Sequence, residues 1–202
     1  MNRWIASKKT GQLISKKHVM QLLEELIRDS IFWLEIQLLP KEDREFELSL
    51  LTPTERYWYE DLFPAWINEK DPKKVIWKKK LMAGIFEGSD ISLIDQVCQI
   101  IESSGGDTFN SYIADLSMAT DIIVSGLQQI PLSIQLTSVR NELAQTKQQD
   151  WLRTLQYWGI KRGIFISFNP MLHQVELRIG QEAFQHSDHI SKNCYLKIDI
   201  DR

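Results

Sequence analysis

Apolar positions recur in two rhythms along this chain, and the change from one to the other divides it. Between Lys17 and Leu38 the residues Val19, Leu22, Leu23, Leu26, Ile27, Ile31, Leu34 and Leu38 return every three or four positions. That is the period of a helix burying one stripe, and Pro40 stands just beyond its expected end. A charged connector, Lys41 to Glu47, overlaps Phe46, Leu48, Leu50 and Leu51, which read as a short strand. Thr52-Pro53-Thr54-Glu55 is a helix start, with Thr52 as cap, Pro53 in the first turn and Glu55 closing a capping box. This helix runs through Trp58, Leu62 and Phe63 until Pro64 interrupts or bends it. Asp71-Pro72 opens another, with Val75, Ile76, Leu81, Met82, Ile85 and Phe86 available for burial and Gly88 as its end. Residues 1–88 therefore read as a helical N-terminal subdomain.

From residue 89 the rhythm shortens. Asp90 to Ser103 reads as a helix stopped by Gly105-Gly106, and Thr108 to Leu116 as a first strand. Ile122, Ile123 and Val124 are β-branched, while Leu132, Ile134 and Leu136 alternate with Ser133, Gln135 and Thr137, the signature of two strands. The six residues from Ser125 to Ile130 suit a hairpin loop. A hairpin centred on Gln128 sets Ile123 opposite Ser133 and Asp121 opposite Gln135. It also sorts Ile122, Val124, Leu132, Ile134 and Leu136 onto one face, and Asp121, Gln135 and Thr137 onto a polar one; a slip of one residue would invert that division. A helix from Asn141 to Trp158, closed by Gly159, precedes the apolar run Ile164–Phe168, so a right-handed crossover can bring that run parallel to Leu132–Thr137. Val175–Ile179 and Tyr195–Ile200 read as two more strands, extending the sheet or forming a terminal hairpin. The fold class is α/β: a mixed sheet of four to six strands flanked by helices at 89–104 and 141–158, in a domain covering residues 89–202.

Composition adds little to this picture except through charge. The chain of 202 residues is long enough for a full core, and its seven tryptophans are read as core or interface anchors. No apolar run approaches the ~18 residues of a membrane span. Cys98 and Cys194 are far apart and form no CxxC pair, which points to reduced thiols and a cytoplasmic setting. Residues 1–88 carry 15 Lys and Arg against 14 Asp and Glu, and residues 89–202 carry 9 against 13. The second half, at −4, lacks the basic surface usual for a grip on duplex nucleic acid.

Chemistry concentrates on the polar face of the hairpin. An Asp at the opening of one strand, followed on the next by a triplet in the position acid-x-Lys, resembles the PD-(D/E)XK nuclease superfamily, over roughly residues 89 to 170. The resemblance implies a restriction-endonuclease-like core, built in the order helix, three strands, helix, strand. It also implies Mg²⁺ held by Asp121 and by Gln135, which stands where the second acid would be. Thr137 stands at the lysine position. Some members of the superfamily carry that lysine on the following helix, where Lys147 is the lysine of this chain, and Arg140 lies nearer in sequence. Many bring a further acid from the preceding helix, which makes Glu102 a candidate metal ligand, with Asp115 competing for the role.

Each of these residues also has a plainer reading: a solvated strand-entrance Asp121, an exposed helix-end Glu102, a solvated Lys147. Lys73, Lys74, Lys78, Lys79 and Lys80, near Trp66 and Trp77, can grip phosphates or form the wet face of a helix. His186 and His189 flank Asp188, with no further metal ligand close by in sequence. Two functions follow from the resemblance. One is a metal-dependent nucleic-acid phosphodiesterase of low activity, with Asp121, Gln135 and Lys147 as its catalytic residues. The other is a nuclease-like fold without hydrolysis that serves as a binding or regulatory module, its partner a protein or weakly bound nucleic acid, with no membrane association.

Overall fold

The computed structural model describes residues 10–83, 89–138 and 142–201 and forms one mixed five-stranded sheet with helices packed on both faces. Readings placed on Ile85, Phe86, Gly88 and Arg140 lie outside the described residues.

The first part is helical: α1 (Thr10–Leu38), α2 (Lys41–Ser49), α3 (Pro53–Tyr57), α4 (Phe63–Asn68) and α5 (Lys74–Ala83). The capping box before α3 is made in full, Thr52 Oγ1 accepting the Glu55 amide and Glu55 Oε2 accepting the Thr52 amide at 3.0 Å. Pro64 does not end the helix. A π-helical turn, Trp58–Leu62, joins α3 to α4, and the Phe63 amide reaches back to the Trp58 carbonyl. Widening the turn accommodates a residue that has no N–H and whose ring crowds the carbonyl four residues earlier. The strand expected at Phe46–Leu51 is absent. Those residues belong mostly to α2, which buries only Leu48 and carries Glu42 and Asp43 in its first turn, where the helix dipole favours acids.

α1 corrects a second expectation. Leu22 and Leu26 face the protein as anticipated by period, and so does Ile36, which lies off that period, but the stripe Leu23, Ile27, Ile31, Leu34 and Leu38 is turned outward. Two acids take the inward places instead. Glu25 accepts hydrogen bonds from the Ser111 hydroxyl and the Tyr112 amide, and Asp29 from Trp58 Nε1 at 3.0 Å and the Tyr59 hydroxyl at 3.1 Å. A carboxylate met by such donors can be buried where an unpaired one could not.

The sheet begins after α6 (Ser89–Ser103) with β1 (Asp107–Phe109), then α7 (Tyr112–Met118), β2 (Ile122–Ser125), β3 (Leu132–Thr137), α8 (Glu142–Tyr157), β4 (Arg162–Phe168), α9 (Val175–Ser187) and β5 (Cys194–Ile200). Its strand order is β1-β2-β3-β4-β5. The first three strands are antiparallel neighbours, and β3, β4 and β5 run parallel. The hairpin has the expected register, Ile122 paired with Ile134, Ile123 with Ser133 and Val124 with Leu132. β4 lies parallel to β3 across the α8 crossover, also as expected.

Two elements differ. The first strand stops at Phe109, and Ser111 caps α7 by accepting the Ile113 and Ala114 amides, so Asp115 sits on a helix. Val175–Ile179 is the start of α9, not a strand. Its alternation of Val175, Leu177 and Ile179 mimics period two, but the buried set Val175, Ile179, Ala183 and Ser187 follows a period of four. Because α9 is a crossover, β5 extends the sheet and the terminal hairpin does not form.

Both sheet faces are covered. Ile122, Val124, Ile134 and Ile166 pack with Val97 and Ile101 of α6 and with Ile179 and Ala183 of α9. On the other face, Ile123 and Phe165 pack with Trp151 and Leu155 of α8 and with Trp58, Leu62 and Phe63 from the helical part. The face expected to be polar and open is therefore buried, Gln135 being 8% exposed and Thr137 3%. Both cysteines are free. No helix among the described residues is long and apolar enough to cross a membrane.

Candidate functional site

Asp121 opens β2 at the point where the chain leaves α7 through Ala119, a residue in the left-handed conformation with φ 53°. The Asp121 amide donates at 2.8 Å to the carbonyl of Ile134, the residue already paired with Ile122, so the ladder shifts by one residue just before the strand. Its side chain turns onto the buried face. Oδ2 accepts the Leu136 amide at 2.6 Å and Gln135 Nε2 at 2.5 Å. The same Gln135 nitrogen donates to the Leu136 carbonyl at 3.1 Å. Asp121 and Gln135 are thus cross-strand neighbours whose side chains meet directly.

Thr137 lies on the same face, two residues further along β3. Its Oγ1 accepts a hydrogen bond from Lys147 Nζ at 3.0 Å. Lys147 is exposed along its stem, on α8, yet its ammonium reaches back over the strand. Asp115 approaches from α7. Burial pushes the Asp121 carboxyl well above the usual carboxylate range, and the Asp115 carboxylate adds to the shift; the Leu136 amide and the Lys147 ammonium pull it the other way.

Of these groups Asp115, Gln135 and Lys147 border a cleft of about 290 Å³, lined also by Lys73, Ile76 and Trp77 of the helical part and by Asp150 and Trp151 of α8. Hydrogen bonds fasten its helical wall. Asp71 Oδ2 accepts from Trp77 Nε1 and from the Ser117 hydroxyl, both at 2.6 Å. Trp66 Nε1 donates to Ser117 Oγ at 3.1 Å and Trp158 Nε1 to the Ser117 carbonyl at 2.9 Å. Further back, Glu25 holds the cap of α7, the helix that carries Asp115.

Asp121, Gln135 and Lys147 therefore converge, and Glu102 does not join them. Glu102 lies at the end of α6, which packs against the opposite sheet face, and its Oε1 accepts the Thr108 hydroxyl at 2.5 Å. The acid that does reach Asp121 is Asp115. Among the described residues no group of three or more His, Cys, Asp or Glu side chains is arranged to hold a metal ion. His186 pairs with Glu182 and His189 with the Gln185 carbonyl, while Asp188 accepts the Leu127 and Gln128 amides of the hairpin loop.

The sequence offers Asp115 only as an alternative to Glu102 and gives no sign that Lys73 and Trp77 neighbour the site. Their placement depends on how the helical part docks, and no spacing in the chain reports that. Comparison with family models, with curated proteins and with solved structures found no match to this chain.

Proposed function

We propose that this chain is a divergent PD-(D/E)XK-like nuclease, with a restriction-endonuclease-like core and low metal-dependent phosphodiesterase activity on nucleic acid. The observation that carries this reading is the bond from Lys147 Nζ to Thr137 Oγ1. The ammonium that the motif would hold on the strand is returned to that strand position from the next helix. Support comes as well from the order of elements, a helix, three antiparallel strands with the short α7 inserted after the first, a crossover helix and a parallel strand.

The donor chemistry fits a hard divalent cation such as Mg²⁺. The Asp115 and Asp121 side chains interact closely, and a cation held by both would relieve the repulsion between like charges. Asp115, Asp121 and the amide oxygen of Gln135 would hold it. Bound there, Mg²⁺ would neutralise phosphate charge and make a water molecule more acidic. Lys147 would present its charge to the same phosphate, and Lys73 would face the neighbouring part of the strand. Gln135 limits the rate, because a neutral amide attracts a cation less than a carboxylate does.

The test is cleavage of single- and double-stranded DNA with Mg²⁺ or Mn²⁺. Slow cleavage that disappears in both Asp121→Ala and Lys147→Ala is expected. A second reading rests on the 2.5 Å bond from Gln135 Nε2 to Asp121 Oδ2: the amide supplies Asp121 with a partner that requires no cation, as a nuclease-like binding or regulatory module would need. Oligonucleotide binding without cleavage, in a folded protein, would decide for that reading.

A further inference from the structure

α1 shows solvent a continuous apolar stripe on the side away from its own core. Met20, Leu23, Ile27, Ile31, Leu34 and Leu38 are 62, 44, 59, 52, 53 and 84% exposed. Their spacings of three and four average one helical turn, so they form a straight ridge along the helix. Together they expose on the order of 600 Å², at the upper end of what a monomer ordinarily leaves as one patch and close to the ~800 Å² that each partner contributes to a stable interface.

The flank of this ridge carries Lys17, Glu24, Arg28 and Glu35, all exposed and all within a narrow arc of the helix. Read in opposite directions from a centre at residue 26, the four charges pair as Lys17 with Glu35, Glu24 with Arg28, Arg28 with Glu24 and Glu35 with Lys17. Every pair is of opposite sign. In an antiparallel pair of identical helices the same flank meets itself in reverse order, as twofold symmetry requires. The apolar residues interdigitate within about one residue of that centre, Leu23 near Ile27 of the other copy and Met20 near Ile31. A parallel arrangement has no such match, since each charge would then lie level with its own copy.

We propose that the ridge on α1 is a homodimer interface, in which two copies of this chain pack their α1 helices antiparallel about a twofold axis near residue 26. Arg28 keeps this role open while touching its neighbour Asp29 within the chain, since its side chain remains 68% exposed. The inference stands apart from the nuclease reading, because it uses no residue of the cleft.

Sedimentation equilibrium of the full chain tests it. The wild type should be dimeric, and Ile27→Glu should raise the dissociation constant by at least about a hundredfold, because symmetry sets two new carboxylates together at the centre of an apolar contact. Ile27 is outside the core, so far-UV circular dichroism and the melting profile of the diluted, monomeric protein should be unchanged. Charge provides the arm that a generally sticky surface would not satisfy. Arg28→Glu alone should weaken the dimer, and Glu24→Arg with Arg28→Glu should restore it, because the exchanged pair is again opposite in sign. A monomeric wild type would overturn the proposal. So would a dimer that survives Ile27→Glu, which would locate the contact elsewhere. A monomeric wild type that dimerises only after removal of residues 1–9 would identify the chain's own N-terminus as the occupant of the ridge, and equally overturn it.

Discussion

Lys147 Nζ donates to Thr137 Oγ1 at 3.0 Å, so a lysine ten residues downstream occupies the space beside a strand position that has no cation of its own. The long stem of Lys147 makes this possible from the first half of α8, and the hydroxyl of Thr137 gives the ammonium an acceptor when no phosphate is present. On the nuclease reading proposed above, Gln135 is the residue that departs most from the motif.

Gln135→Glu is therefore the informative change at the site. It replaces the amide donor to Asp121 with a second carboxylate on the same Oδ2. Without a divalent cation the variant should be less stable by about 1–3 kcal/mol, as for a lost buried hydrogen bond. Mg²⁺ should recover most of that loss in a thermal melt, and metal-dependent DNA cleavage should rise at least about tenfold over wild type. A melt indifferent to Mg²⁺ in this variant would remove the case for a cation site.

Nucleic-acid binding should be weak and should rest on the lysines of the helical part. Lys74 and Lys78 are exposed on α5, and Lys73 lines the cleft. Replacing Lys74 and Lys78 with Gln should reduce the slope of log affinity against log salt by about 1.5 to 2, the share of two phosphate contacts. Fluorescence anisotropy with a labelled oligonucleotide reads this directly. An unchanged slope would point to another surface.

Glu25 should give stability a pH dependence of determinate sign. Burial raises its carboxyl above the usual value of 4.5, against the lowering effect of the Ser111 hydroxyl and the Tyr112 and Ile113 amides, and the Asp29 charge adds to the rise. A raised carboxyl favours the protonated folded state. Its contribution is complete below pH 4.5 and declines as pH climbs through the folded-state value. In urea denaturation, wild type minus Glu25→Gln stability should fall over that interval and then level off. A difference that grows with pH would contradict this assignment.

Gly163 tests how tightly the wall of the cleft is packed. A Cβ at this β4 position would stand 2.8 Å from both Leu155 Cδ1 and Trp151 Cζ2, and 3.1 Å from the Ser133 carbonyl. Gly163→Ala should cost about 1–3 kcal/mol through overpacking. Trp151 also lines the cleft, so its fluorescence should shift in the folded variant. A neutral substitution with unaltered emission would show that the indole has room to move.

What the sequence determined by itself was local. The hairpin register follows from alternation on β2 and β3, because only one pairing puts Ile122 and Val124 on the same face as Leu132, Ile134 and Leu136. That register set Asp121 near Gln135, and the bond between their side chains completes the contact. The capping box at Thr52 and the parallel placement of β4 were legible for similar reasons, since a cap and a crossover are made within a short stretch of chain. Only the tertiary structure decided which face of an element is inner. Val175, Leu177 and Ile179 alternate like a strand, yet Gly180, Ala183 and Ser187 complete a helical stripe that fits against α6. On α1 the apolar stripe looks outward while Glu25 and Asp29 are buried, because their partners, Ser111, Trp58 and Tyr59, come from distant parts of the chain. The same holds for the cleft. Lys73 and Trp77 come to line one cleft with Asp115 and Lys147 through the docking of helices, and the free energy of that docking is shared among buried contacts far apart in sequence.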